Sequence, residues 1–211
     1  MTAGGFFDDH QRATIEAAMA RIIPTDDLPG AREAGTIDFL DRYLAGLGSI
    51  YAKPDGSGFE ELGGKRAAAW QRRLDTIRPR YVAGIAELDR RSRGAFGADF
   101  KRLDMSQQDT ILAEMEARDV MAAGDGDGDT PPLQQTKAEI DLDFFPLLCA
   151  HTRQGFYADP IYGGNREHIG WEVIGFPGPA SMAEVHSGRY STLAWFAQQQ
   201  PAHEEETVRD A

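Results

Sequence analysis

From residue 9 to residue 153, apolar side chains recur at three- and four-residue spacing, and no alternating strand run reaches useful length. A 3.6-residue repeat turns one face of each segment toward a common core, so the chain is read as all-α: a compact multi-helix domain. Asp8 or Asp9 can cap the first helix. Ile15, Ala18, Met19, Ile22 and Ile23 share its inner face, and Pro24 stops it near Ile23. A second helix is expected from Ala31 or Glu33 to Leu47, with Ile37, Leu40, Leu44 and Leu47 as its stripe. Residues 65–91 carry a third stripe through Trp70, Leu74, Ile77, Tyr81, Ile85 and Leu88. Pro79 interrupts it, which predicts two abutting helices or one kinked helix.

Phe96 and Phe100 are expected to pack locally. Ser106 and Asp109 have capping-box spacing ahead of Ile111, Leu112 and Met115. Another helix is expected over 136–153, with Ile140, Phe144, Leu147 and Leu148 inward and a kink at Pro146. Tyr190, Leu193, Ala194 and Phe196 suggest a short last turn. Residues 203–211 read as a frayed polar tail. The 211 residues are therefore taken as one domain, interrupted by a mobile acidic loop at 122–135.

Within that loop, the run from Asp125 to Asp129 begins like a calcium-binding EF-hand. Thr130 stands where the sharp turn needs glycine, however, and Thr136 where a bidentate glutamate is required. A mobile loop fits the composition better.

Residues 153–180 break the pattern. Phe156, Tyr157, Tyr162, Trp171 and Phe176 alternate with Gly163, Gly164, Gly175 and several prolines. Glycines allow left-handed backbone and close approach, while rings supply stiff apolar area. A long ordered loop follows, of the kind that often carries binding.

The net charge of −12 repels phosphate backbones and argues against nucleic acid, while remaining compatible with a basic protein surface. Cys149 is the only cysteine, so no internal disulfide or cysteine-held cluster can form. Its apolar neighbours predict a buried, inert thiol. No stretch is long and apolar enough to span a bilayer, and the first residues lack the pattern of an export signal. The fingerprints GxGxxG, Walker, HExxH and GxSxG are all missing. His10, His151, His168, His186 and His203 show no metal-clamp spacing, and acid pairs such as Asp26–Asp27 and Asp141–Asp143 cannot be shown to converge. No catalytic, cofactor or metal residues emerge from this chain alone.

Two blocks are nevertheless familiar together: FFDDHQRATIEAAMARIIPTDDLPGAREAGTIDFLDRYL at 6–44 and GFYADPIYGGNREHIGWEVIGFPG at 155–178. In that order they resemble the gluconate 2-dehydrogenase subunit 3 family. The resemblance implies a non-catalytic small subunit of a flavin-dependent sugar or polyol dehydrogenase. Its large partner would be a glucose–methanol–choline-type flavoprotein holding FAD, often with an iron–sulfur cluster, and a cytochrome c subunit would carry haem. It also implies a periplasmic complex, with a cytoplasmic one as the alternative because no export signal is visible.

Under this resemblance Phe156, Tyr157, Tyr162, Trp171 and Phe176 are expected to anchor the chain on the large subunit. Asn165 and Arg166 would register the contact at its rim, and Gly163, Gly164 and Gly175 would set the backbone path. The rival expectations are an autonomous carbohydrate-active or metal-dependent enzyme and a transient assembly chaperone.

Overall fold

A computed structural model describes residues 5–123, 138–179 and 182–188. Helix α1 spans Asp9–Ile22 and is opened by a capping box. The Asp8 carboxylate accepts from the Gln11 N–H at 2.8 Å, and the Gln11 side chain accepts from the Asp8 N–H at 3.2 Å. Ile15, Ala18 and Met19 are sealed from solvent.

Helix α2 is shorter than the periodicity predicts, Thr36–Ala45. Residues 31–35 are turns, and Leu47 falls in a separate single-turn helix, Leu47–Ser49. Gly46, with φ 156°, breaks the stripe before Leu47 can join it.

Helix α3 is a single element, Gly64–Phe96, 33 residues long. It runs unbroken through Pro79, so of the two expected forms the pair of abutting helices does not hold. Pro79 sits on the exposed side, opposite the buried Leu74, Ile77, Tyr81, Ile85 and Leu88. The Asp75 carbonyl, which loses a donor there, belongs to an exposed residue. Phe100 is fully buried in the turn Phe100–Arg102, whereas Phe96 is 37% exposed.

Helix α4, Met105–Ala123, starts two residues earlier than expected. Its capping box is Asp104 with Gln107, at 2.9 and 3.2 Å, and not Ser106 with Asp109; Asp109 instead pairs with Arg21 at 2.7 Å. The acidic loop, including the calcium-like run, lies largely beyond α4 and outside the described residues. So do the expected last turn at 190–196 and the tail at 203–211.

Helix α5 is Phe144–Tyr157 and does not begin near 136. Ile140 sits in a single turn, Glu139–Asp141, and is 40% exposed. Pro146 therefore stands in the first helical turn, where no N–H is needed, and the predicted kink loses its cause. Two short helices follow: α6, Ile169–Val173, and α7, Met182–His186.

Helix α5 is the centre of the packing, touching α1, α2, α3, α4 and α6. One apolar cluster, including Ile15, Leu40, Leu44, Leu74, Tyr81 and Leu147, joins all of the long helices. At Gly84 of α3 the Phe144 ring lies 2.1 Å from where a Cβ would stand, so α3 and α5 meet there nearly backbone to ring. The architecture is all-α, and the described residues hold no strand, only an isolated bridge between Ala52 and Phe59. Among them no helix is long and apolar enough to cross a membrane.

Candidate functional site

The aromatic–glycine segment, expected as one long ordered loop, is built from single turns and a short helix. It begins as the last turn of α5, continues through single turns at Pro160–Tyr162 and Arg166–His168, and ends in α6 and a tail against it. Asp159 caps the first turn by accepting the Ile161 N–H at 2.9 Å.

Asn165 is the keystone. It is fully buried in left-handed conformation, φ 49°, which asparagine tolerates better than most residues. Its amide donates to the Ala158 carbonyl at 2.8 Å and accepts the Gly170 N–H at 2.7 Å, closing the segment into a knot. Gly164 and Gly170 allow this closure. A Cβ at either would lie 2.1 Å from the Gly155 carbonyl oxygen or 1.9 Å from that of Phe156.

The candidate anchors divide. Phe156 is fully buried and Trp171 is 6% exposed. The Trp171 indole N–H donates to the Tyr157 carbonyl at 2.8 Å, and the half-buried Phe176 ring meets the indole edge-on at 5.3 Å. Phe156, Asn165 and Trp171 thus hold the segment to its own domain. Tyr157 is 41% exposed, and Tyr162 is half-buried, edge-on to Phe59 at 5.7 Å. The exposed Arg166 guanidinium donates to Asp38 at 3.0 Å, and its backbone N–H donates to the Ala34 carbonyl at 2.9 Å. Gly163 and Gly175 take positive φ, 107° and 66°.

Tyr157 and Tyr162 form one wall of a cleft of about 440 Å³. Phe39 and Tyr43 of α2, Ile50, and Trp70 of α3 supply its other large apolar walls, and Ser49, Gln154 and Asp159 its polar edge. That size suits a single ligand or a partner's side chains.

Beneath the cleft lies a polar cluster that joins four elements. Glu139 accepts from the Tyr43 hydroxyl at 2.8 Å, from His151 Nε2 at 2.9 Å, and from the Arg73 guanidinium. Arg73 also donates to the Tyr43 oxygen at 3.1 Å, and its guanidinium lies over the Trp70 ring at 4.9 Å. His151 Nδ1 lies 2.7 Å from the Tyr81 hydroxyl, so the ring bridges Glu139 and Tyr81.

Burial alone would raise the Glu139 carboxyl. Hydrogen bonds from His151, Arg73 and Tyr43 outweigh it and hold the group down to about 2. Burial, followed by the Glu139 charge, pushes the Tyr43 phenol well above its ordinary value, and burial does the same at Tyr81.

A general base needs a free lone pair and an affinity for protons near neutrality. Glu139 has three of its four acceptor sites engaged and is held down to about 2, which suits a brace of the 139–141 turn against α2, α3 and α5. Cys149 is half-buried, less so than expected, and burial raises its thiol. Among the described residues no three His, Cys, Asp or Glu side chains gather as a metal cage. His151 is locked in the cluster, while His168 stacks on Trp171 at 4.9 Å. His10 pairs with Asp89 at 2.6 Å.

Sequence reasoning missed Phe39, Tyr43, Arg73 and Glu139. The nearest signal was Trp70, read as a core residue, which is half-buried and shared between core and cleft.

No curated protein and no solved structure matches this chain. A family model described as gluconate 2-dehydrogenase subunit 3 matches residues 9–178, from the first residue of α1 to the glycine that packs on Trp171. The match takes in every long helix and the whole aromatic–glycine knot, and the chain belongs to the gluconate 2-dehydrogenase subunit 3 family.

Proposed function

We propose that this chain is a non-catalytic small subunit that stabilises a flavin-dependent sugar or polyol dehydrogenase by docking on its large catalytic subunit. The observation that carries the proposal is the family match over residues 9–178, a family of small, non-catalytic subunits. The site agrees in kind: its buried polar groups are engaged with one another, while its apolar cleft stands open.

Docking would fall to the side chains the fold leaves reachable, Tyr157 and Tyr162 first, with Arg166 and Phe176 nearby. Phe156, Asn165, Trp171 and the glycines would act one step back, giving the surface its shape. The flavin would belong to the partner, in keeping with the family's description as subunit 3 of a dehydrogenase.

The test is expression of the flavoprotein subunit with and without this chain. The expected result is a persistent one-to-one complex with flavin absorbance, and loss of most soluble, flavin-loaded large subunit when this chain is omitted. Equal yield and turnover without it would overturn the proposal. A large subunit that becomes active and no longer retains this chain would mark a transient chaperone instead.

A further inference from the structure

We propose that the surface on either side of Trp70 is the face that meets the catalytic subunit, and that the partner presents there a large apolar side chain flanked by carboxylates. This rests on the small-subunit proposal and adds the face and the chemistry opposite it.

On one side of Trp70 is the ring-lined cleft. On the other is a second groove of about 440 Å³, bounded by Ala69, Arg72, Arg73, Thr76 and Ile140. Trp70 lines both, so the two form one continuous surface. Three large apolar side chains left uncovered by the fold gather around it: Tyr157, Ile140 and Tyr51, at 41%, 40% and 37% exposure. Tyr51 belongs to the same patch because its hydroxyl accepts the Trp70 indole N–H at 3.2 Å. Contiguous exposed rings of this kind mark interaction sites.

Charge identifies the occupant. The chain is strongly acidic, at −12, yet residues 65–73 hold Lys65, Arg66, Arg72 and Arg73 and no acid. Arg73 is tied to Glu139, and Arg66 lies over the Tyr51 ring at 4.8 Å and reaches Glu60 at 3.7 Å. Lys65 and Arg72 are exposed and make no ion pair among the described residues.

Unpaired cations beside uncovered rings, on a molecule of the opposite sign, complement an acidic surface bearing an apolar knob. A concave, ring-walled cleft receives a side chain better than it receives a plane of lipid headgroups. A polypeptide is therefore the occupant.

The experiment titrates the isolated flavoprotein subunit with the full chain and with Tyr157→Ala, Arg72→Glu and Val82→Ala. Helicity and Tm of each variant are recorded alongside. Val82 is an exposed residue of α3 outside both grooves and serves as the control. The expected result is binding weakened at least about tenfold by Tyr157→Ala and by Arg72→Glu, with Val82→Ala unchanged. Arg72→Glu should also flatten the salt dependence of Kd.

If wild type binds and both variants bind equally well, this face is wrong and the small-subunit proposal stands. If wild type does not bind the flavoprotein, both fall. Arg72-dependent binding to phosphatidylserine vesicles, with flavoprotein binding unaffected by Arg72→Glu, assigns the face to lipid and overturns the inference.

Discussion

Glu139 shows how a single carboxylate can hold several elements together. It gathers donors from α2, α3 and α5, and its own short turn would otherwise have little to pin it. Its folded-state affinity for protons is depressed to about 2 from an ordinary 4.5. The stabilisation is therefore present above about pH 4.5 and is lost as pH falls toward 2. It amounts to roughly 3 kcal/mol at neutral pH.

Glu139→Gln should lower stability at pH 7 by about that amount, because Arg73 and His151 lose their charged acceptor. It should also flatten the acid limb between pH 4.5 and 2. Urea unfolding at a series of pH values checks both, and an unchanged acid limb would remove Glu139 from this role.

At the scale of elements, the tightest constraint is the approach of α3 to α5 at Gly84. An added methyl would meet the Phe144 ring, which is itself buried, so neither partner can yield cheaply. Gly84→Ala should lower stability by about 1–3 kcal/mol despite alanine's better helix propensity. Thermal unfolding gives the sign directly, and a stabilised variant would mean that Phe144 has room to turn.

Element boundaries were legible where two signals agreed, as at α1, with Asp8 and Gln11 before it and Pro24 after it. They were not legible where one signal had two solutions. Asp104–Gln107 and Ser106–Asp109 have the same spacing, and the burial of Phe100 and Leu103 just upstream goes with the earlier pair. Pro146 looked like a kink only because the helix was assumed to start eight residues too early. In the site, the rings could be read as a group but not as inward or outward. The knot that orients them depends on positive φ at Asn165, Glu167 and His168, which leaves no periodic trace. The Glu139 cluster joins residues from four separate elements, and no local pattern anticipates that.

At the scale of the molecule, the aromatic–glycine knot is a structural part of the domain as well as its outer wall. Asp38 receives Arg12 at 2.5 Å on one side and Arg166 at 3.0 Å on the other, so α1, α2 and the knot share one carboxylate. A chain ending at residue 158 loses the Asn165 closure and the cover that Trp171 and its neighbours give Phe156. Its stability should fall by about 3 kcal/mol or more. A urea titration reads this as a lower midpoint, and an unchanged midpoint would make the knot an appendage.

The Arg166–Asp38 bridge spans 128 residues. A ribosome adding about 5–20 residues per second needs roughly 6–25 s to cover that distance. For much of that interval the α1–α2 pair lacks the α5 face it packs on in the finished fold. Any chain halted before residue 166 is therefore released with Asp38 short of its second cation and α2 short of the late-made wall it leans on.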